Sequence, residues 1–247
     1  MALAAAPPLE SPAGRVAERS GPGFERSGPP LERLAPRGAD PATRLRSWSE
    51  ILAETHLAFE VRPTYRTPSR FQGAVTRRPI GDLTLVDCAT APFLGHRDDQ
   101  VITSRADRAH ENVLGFQFVC KGVELVREGE RQLALKAGDM VLWDGLQPTE
   151  IEIAEAFYKR TLLFPRDRVL AVCPRLAGLE VLPSLAGSAS ARLLVRFMNA
   201  LALETPSLDG AAGAAASNAA LELLRAAVEP ALPSDRAATR AAMRAEI

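Results

Sequence analysis

Apolar positions along this chain follow three successive rhythms. From Arg44, the residues Leu45, Trp48, Ile51 and Leu52, with Thr55, recur three or four apart, while Ser47 and Glu50 fall on the other side. That spacing predicts a short amphipathic helix, ended before Arg62-Pro63. From about 69 to 165 the period drops to two. Leu114, Phe116, Phe118 and Cys120 share one face of a half-buried strand. Val123 to Val126 and Gln132 to Leu135 flank Arg127-Glu128-Gly129-Glu130, a glycine-containing hairpin turn. Asp139 to Trp143, Glu150 to Ile153 and Tyr158 to Phe164 continue the series, and short strands at such close spacing predict a sandwich or barrel. After Pro165 helical spacing returns. Ala191, Leu194, Val195, Met198, Leu201 and Leu203 define one helix, and Ala219, Leu221, Leu223, Leu224 and Val228 a second that Pro230 ends. Ser234-Asp235 supplies an N-cap for a third, running through Met243 to Ile247, and Gly210-Ala211-Ala212-Gly213 reads as a connector of small residues.

Residues 1–43 are rich in Pro, Gly, Ala, Arg and Glu and show no periodicity, so this stretch reads as a disordered leader that cannot bury enough apolar surface to offset its ordering entropy. Its start lacks the basic flank and apolar core of a secretory signal. Thirty basic residues balance thirty acidic ones, which removes any global field that would draw in nucleic acid. No segment approaches the roughly 20 apolar residues of a membrane helix. Cys88, Cys120 and Cys173 are odd in number and far apart, which argues against a zinc knuckle or disulfide framework and for a cytoplasmic location.

The most informative segment is Leu133 to Asp144. Gly138-Asp139 between two apolar runs makes a tight turn, with glycine supplying a positive φ and Asp139 expected to cap the following amides. Gln147-Pro148 makes a second turn before Thr149 to Ile153. This succession resembles the second half of a small cupin barrel. With the Trp48 helix ahead of it, Phe71-Gln72-Gly73, Gly81 to Leu85, Lys159 to Arg168 and a following helical pair, the chain from about 44 to 247 resembles the N-terminal regulatory domain of AraC/XylS-type transcription regulators.

The resemblance implies an α+β fold: a cupin-like antiparallel β-barrel preceded by one helix and followed by a helical dimerisation pair. It divides the chain into a ligand-binding barrel over 44–186, a dimerisation region over 187–233 and, from 234 to 247, the opening of a helix-turn-helix domain whose recognition helices do not follow. It implies a small-molecule effector and a homodimer as partners, DNA contact only through that further domain, no membrane, no metal and no cofactor.

Enzymatic chemistry finds little support in these residues. Metal-binding cupins need two or three histidines plus a glutamate, because borderline divalent metals favour imidazole with carboxylate support. Here the position after the second turn holds Thr149. His56 reads as a partly exposed helix residue, and His96 and His110 lack a third ligand. No Gly-x-Ser-x-Gly elbow exists, Cys88 and Cys120 read as small core residues, and Asp139 and Asp144 read as turn and strand-end residues. A stand-alone cupin-type metal enzyme or isomerase stays as the alternative, and a dimerisation module without a ligand as a third reading.

A small barrel holds one small ligand among its inward side chains. The alternating faces offer Phe116, Phe118, Leu125, Trp143 and Phe164 as wall residues; plain core filling is their other reading. Arg105, with Arg97 and Arg108, could pair with a carboxylate effector or lie solvated on the surface. Leu194, Met198 and Leu201 are the expected dimer contacts, packing onto the barrel being the alternative.

Overall fold

The computed structural model describes residues 32–103, 112–177, 185, 187–205 and 208–232. Helix α1 spans Pro41–Thr55 because Asp40 accepts the Thr43 amide at 2.9 Å and Pro41 presets the first turn. Its apolar stripe buries Leu45, Trp48, Ile51 and Leu52. Order therefore begins ahead of residue 44. Besides the Asp40 cap, strand β1 (Glu32–Leu34) pairs with β3 (Gly73–Ile80) through Glu32↔Arg77 to Leu34↔Val75. Backbone pairing and a cap hold these residues, and neither leaves a hydrophobic period to read.

Eleven strands among the described residues form two antiparallel sheets. The six-stranded sheet runs β1, β3, β4 (Leu83–Thr90), β11 (Phe157–Pro165), β6 (Val113–Lys121) and β9 (Met140–Asp144). The five-stranded sheet runs β2 (Glu60–Arg62), β5 (Phe93–Arg97), β10 (Thr149–Ile153), β7 (Val123–Glu128) and β8 (Arg131–Lys136). Between β5 and β6 the chain forms the short helix α2 (Asp99–Thr103). After β11 come α3 (Arg166–Val172), α4 (Ala189–Glu204) and α5 (Gly210–Val228).

Two cores set the layering. One lies between the sheets and under α1, where Trp48, Phe71, Val75, Val86, Val119 and Leu163 meet Phe93, Leu135, Ile151 and Ile153. The other lies on the opposite face of the six-stranded sheet, where Leu85, Phe116, Leu142, Leu162 and Phe164 meet Leu194, Met198, Leu201, Leu221 and Leu224 of α4 and α5. The six-stranded sheet is thus covered on both sides, and this decides which residues can line the barrel.

Local chemistry holds the corners. Gly138 turns at φ +95°, and Asp139 accepts the Lys136 amide at 2.9 Å; the cap reaches back rather than forward, because the carboxylate closes the turn it follows. The segment Gly210–Gly213 is the first turn of α5 rather than a connector, since Asp209 accepts the Ala212 amide at 2.8 Å and caps the helix there. A Cβ on Gly213 would sit 3.1 Å from the Gly81 amide, so the small residues let α5 ride close over the β3–β4 turn. The third helix expected from Ser234 lies outside the described residues, as do Arg105, Arg108 and His110. Among the described residues no helix is long and apolar enough to cross a membrane.

Candidate functional site

Between the sheets, below the end of α1, lies a cavity of about 70 Å³. Leu52 and Leu57 roof it, and Phe93, Leu133, Leu135, Val141, Trp143, Ile151 and Phe157 supply its apolar walls. One end is polar. Glu124 of β7 accepts Gln117 Nε2 of β6 at 2.5 Å and Lys159 Nζ of β11 at 3.0 Å. The Glu124 side chain is 2% exposed and that of Lys159 15%, so this ion pair is formed largely out of water. Gln117 and Lys159 belong to the six-stranded sheet and Glu124 to the five-stranded one, so the network ties the two sheets across the lumen.

Neighbouring groups follow the same environment. Burial pushes the Cys88 thiol up to about 12, against the opposing charge of Lys159, which makes it a wall residue rather than a thiolate. Burial also raises Glu128, with Arg131 at 3.9 Å opposing. Asp144 accepts Arg166 Nε at 3.1 Å. His56, expected to be partly exposed, is 4% exposed; it caps α1 by donating its amide to the Leu52 carbonyl and turns its ring into the cavity lining.

The expected wall residues divide. Trp143 lines the cavity, lying flat over Gly115 of the paired strand, where any Cβ would overlap the indole carbons. Phe116 and Phe118 point the other way, into the helix-facing core, and Phe164 joins them. Leu125 sits on the outer face of the five-stranded sheet, in a surface hollow with His96, Arg127 and Glu150. Arg97 is neither an effector anchor nor solvated: it is 1% exposed and donates to the carbonyls of Ala58 at 3.0 Å and Gly145 at 2.6 Å. Sequence reasoning missed Gln117, Glu124 and Lys159. Their signal was a polar residue on a face that also carries Val119, Val126 or Leu163, which reads equally as a solvent-facing position.

Two polar clusters join the barrel to the helices. Asp87 of β4 accepts Arg160 Nε at 2.6 Å, Arg78 Nη1 at 2.6 Å and the Tyr158 hydroxyl at 3.0 Å, while Arg160 also donates to Asn199 of α4 at 2.6 Å. Burial pushes the Asp87 carboxyl up, but the hydrogen bonds and charges of Arg160 and Arg78 outweigh it and hold it below the usual carboxylate value. Near the β3–β4 turn, Asp82 accepts from Arg168 of α3 and Ser217 of α5, and Arg168 also donates to Asn218 at 2.8 Å. Leu194, Met198 and Leu201 are buried between α4 and the sheet, so they cannot meet a second chain; Leu193 (50% exposed) and Leu203 (79%) face outward instead.

Among the described residues no group of three or more His, Cys, Asp or Glu side chains is placed to hold a metal ion. A leading helix, two facing sheets and a helical pair on one of them define a cupin-like fold. The chain belongs to the AraC-binding-like domain family, whose model matches residues 48–228. The AraC-like transcriptional activator CuxR has a similar structure, with 16% sequence identity and a TM-score of 0.66 over 83% of this chain and 73% of CuxR. The EutQ protein of Clostridium difficile matches over 42% of this chain and 70% of its own, at 7% identity and a TM-score of 0.31. No curated protein matches.

Proposed function

We propose that this chain is the effector-sensing and dimerising module of an AraC-type transcription regulator, a binding protein without a reaction of its own. The observation that carries the reading is the Gln117–Glu124–Lys159 network at one end of an apolar cavity. Burying a charge pair carries a desolvation cost that only close geometry and further hydrogen bonds offset, so a pair kept in a cavity wall is a candidate ligand-binding group. Lys159 spends one of its three N–H donors on Glu124, which leaves hydrogen-bonding capacity directed at a guest. DNA recognition in this reading belongs to a helix-turn-helix domain outside residues 32–232, in keeping with the chain's balanced charge.

Thermal unfolding against a broad panel of small organic molecules tests the reading. A ligand at one hundred times its Kd stabilises the folded chain by about 2.7 kcal/mol. At the same ligand concentration that gain should fall to about half, about 1.4 kcal/mol, in the Glu124→Leu/Lys159→Met double variant, and a panel that leaves the wild-type transition unmoved counts against sensing. Dimerisation is proposed through the outward face of α4, around Leu193 and Leu203. Light scattering should show a dimer that Leu203→Glu or Leu193→Glu converts to folded monomer. A mass that stays dimeric in both variants refutes that seam.

A further inference from the structure

We infer that the molecule filling the barrel cavity is uncharged, a single-ring body bearing a hydroxyl group; the inference rests on the sensing reading above and narrows it.

The charge balance of the cavity carries the argument. Three carboxylates border it, and each already faces a cation: Glu124 faces Lys159 at 3.0 Å, Asp144 faces Arg166 at 3.1 Å, and Glu128 faces Arg131 at 3.9 Å. Among the described lining side chains Lys159 is the one ammonium and no guanidinium joins it; the other basic group is the His56 imidazole, whose Nδ1 is engaged by the Thr55 hydroxyl at 3.1 Å. A carboxylate guest would have to take Lys159 away from Glu124, stranding a buried carboxylate, or else add a second anion beside it. An ammonium guest would have to displace Lys159 itself. Either exchange leaves one charge uncompensated in an apolar enclosure, where isolated charges are strongly disfavoured.

An uncharged guest meets no such conflict. The polar end offers N–H donors from Lys159 and carboxylate lone pairs from Glu124 side by side. A hydroxyl matches both, since it donates one hydrogen bond and accepts others. The remaining walls, Phe93, Trp143, Phe157, Leu135 and Ile151 among them, suit a flat apolar ring. The volume sets the size. A cavity of about 70 Å³ has room for a small guest such as a single ring.

The test is a matched series of equal ring and near-equal volume: benzyl alcohol, benzoate and benzylammonium, each titrated calorimetrically into the full chain at pH 7. Benzyl alcohol is expected to bind at least about tenfold more tightly than either ion. In Glu124→Leu/Lys159→Met, which removes both charges together and leaves the apolar walls intact, its affinity should fall about tenfold while the variant still unfolds cooperatively. Benzoate or benzylammonium binding as tightly as the alcohol overturns the uncharged class and leaves the sensing reading standing. Failure of all three to bind overturns the single-ring hydroxyl class, and the broader panel then judges sensing separately. An unchanged affinity in the double variant overturns the assignment of the hydroxyl to Glu124 and Lys159.

Discussion

Removing Lys159 alone should harm the fold more than removing Lys159 and Glu124 together. In Lys159→Met the Glu124 carboxylate, 2% exposed, keeps one donor, Gln117 Nε2 at 2.5 Å. Stripping one partner from a buried pair costs about 3–5 kcal/mol. Lys159 is 15% exposed, which lets some water reach the orphaned oxygen and favours the lower end, about 3 kcal/mol. For a chain of this size that lowers Tm by about 6–12 °C. In Glu124→Leu/Lys159→Met no charge is left behind, and the main residual cost is the acceptor lost to Gln117, about 1 kcal/mol. Urea unfolding of the four species in a double-mutant cycle gives the coupling directly, provided the slopes agree. A Lys159→Met cost below about 1 kcal/mol, or a double variant whose loss equals the sum of the singles, would refute the claim that this pair is held out of water.

Three further outcomes follow from the geometry. Gly115→Ala places a methyl against the Trp143 indole, so it should cost about 1–3 kcal/mol in chemical denaturation and shift the tryptophan emission; unchanged emission and stability would contradict the stacked arrangement. Asp87, with its pKa lowered by Arg160 and Arg78, contributes stability that is fully present above the unfolded carboxylate value and lost as pH falls through the lowered folded value. Wild-type Tm should therefore drop below about pH 4 toward that of Asp87→Asn, and two parallel Tm profiles from pH 7 to pH 2 would sink this account. Cys88 and Cys120, with thiols pushed up by burial to about 12 and about 11, should resist maleimide at pH 7 in the folded chain and react after unfolding; rapid native labelling of Cys88, read by mass spectrometry, would show that the cavity wall opens.

The strands and helices were largely legible because their periods are local properties, whereas the faces they present are not. Alternation through Leu114, Phe116 and Phe118 marks β6 correctly, yet it cannot say which face looks into the barrel. The richer face turned out to meet α4 and α5, and the face that reads as solvent carries Gln117 into the lumen. Glu124 and Lys159 are obscured in the same way, since a lone charge within a strand ordinarily points to water. Arg97 and His56 were misplaced for a different reason. Main-chain carbonyls far along the chain accept from Arg97, and the end of α1 folds His56 inward, and neither partnership leaves a mark near the residue itself. Leu194, Met198 and Leu201 illustrate the converse error: the most hydrophobic stripe of α4 is consumed by its own sheet, so only its weaker outward stripe is free to meet another molecule.

On β11, Lys159 turns into the cavity and Arg160, the very next residue, reaches over the opposite face to Asn199 of α4. Their Cα atoms are about 3.8 Å apart, so the interior and the helical layer share a single peptide plane. The guanidinium on the far side of that plane is fastened to α4 through Asn199. Cavity and helical layer are thus separated by the thickness of one strand.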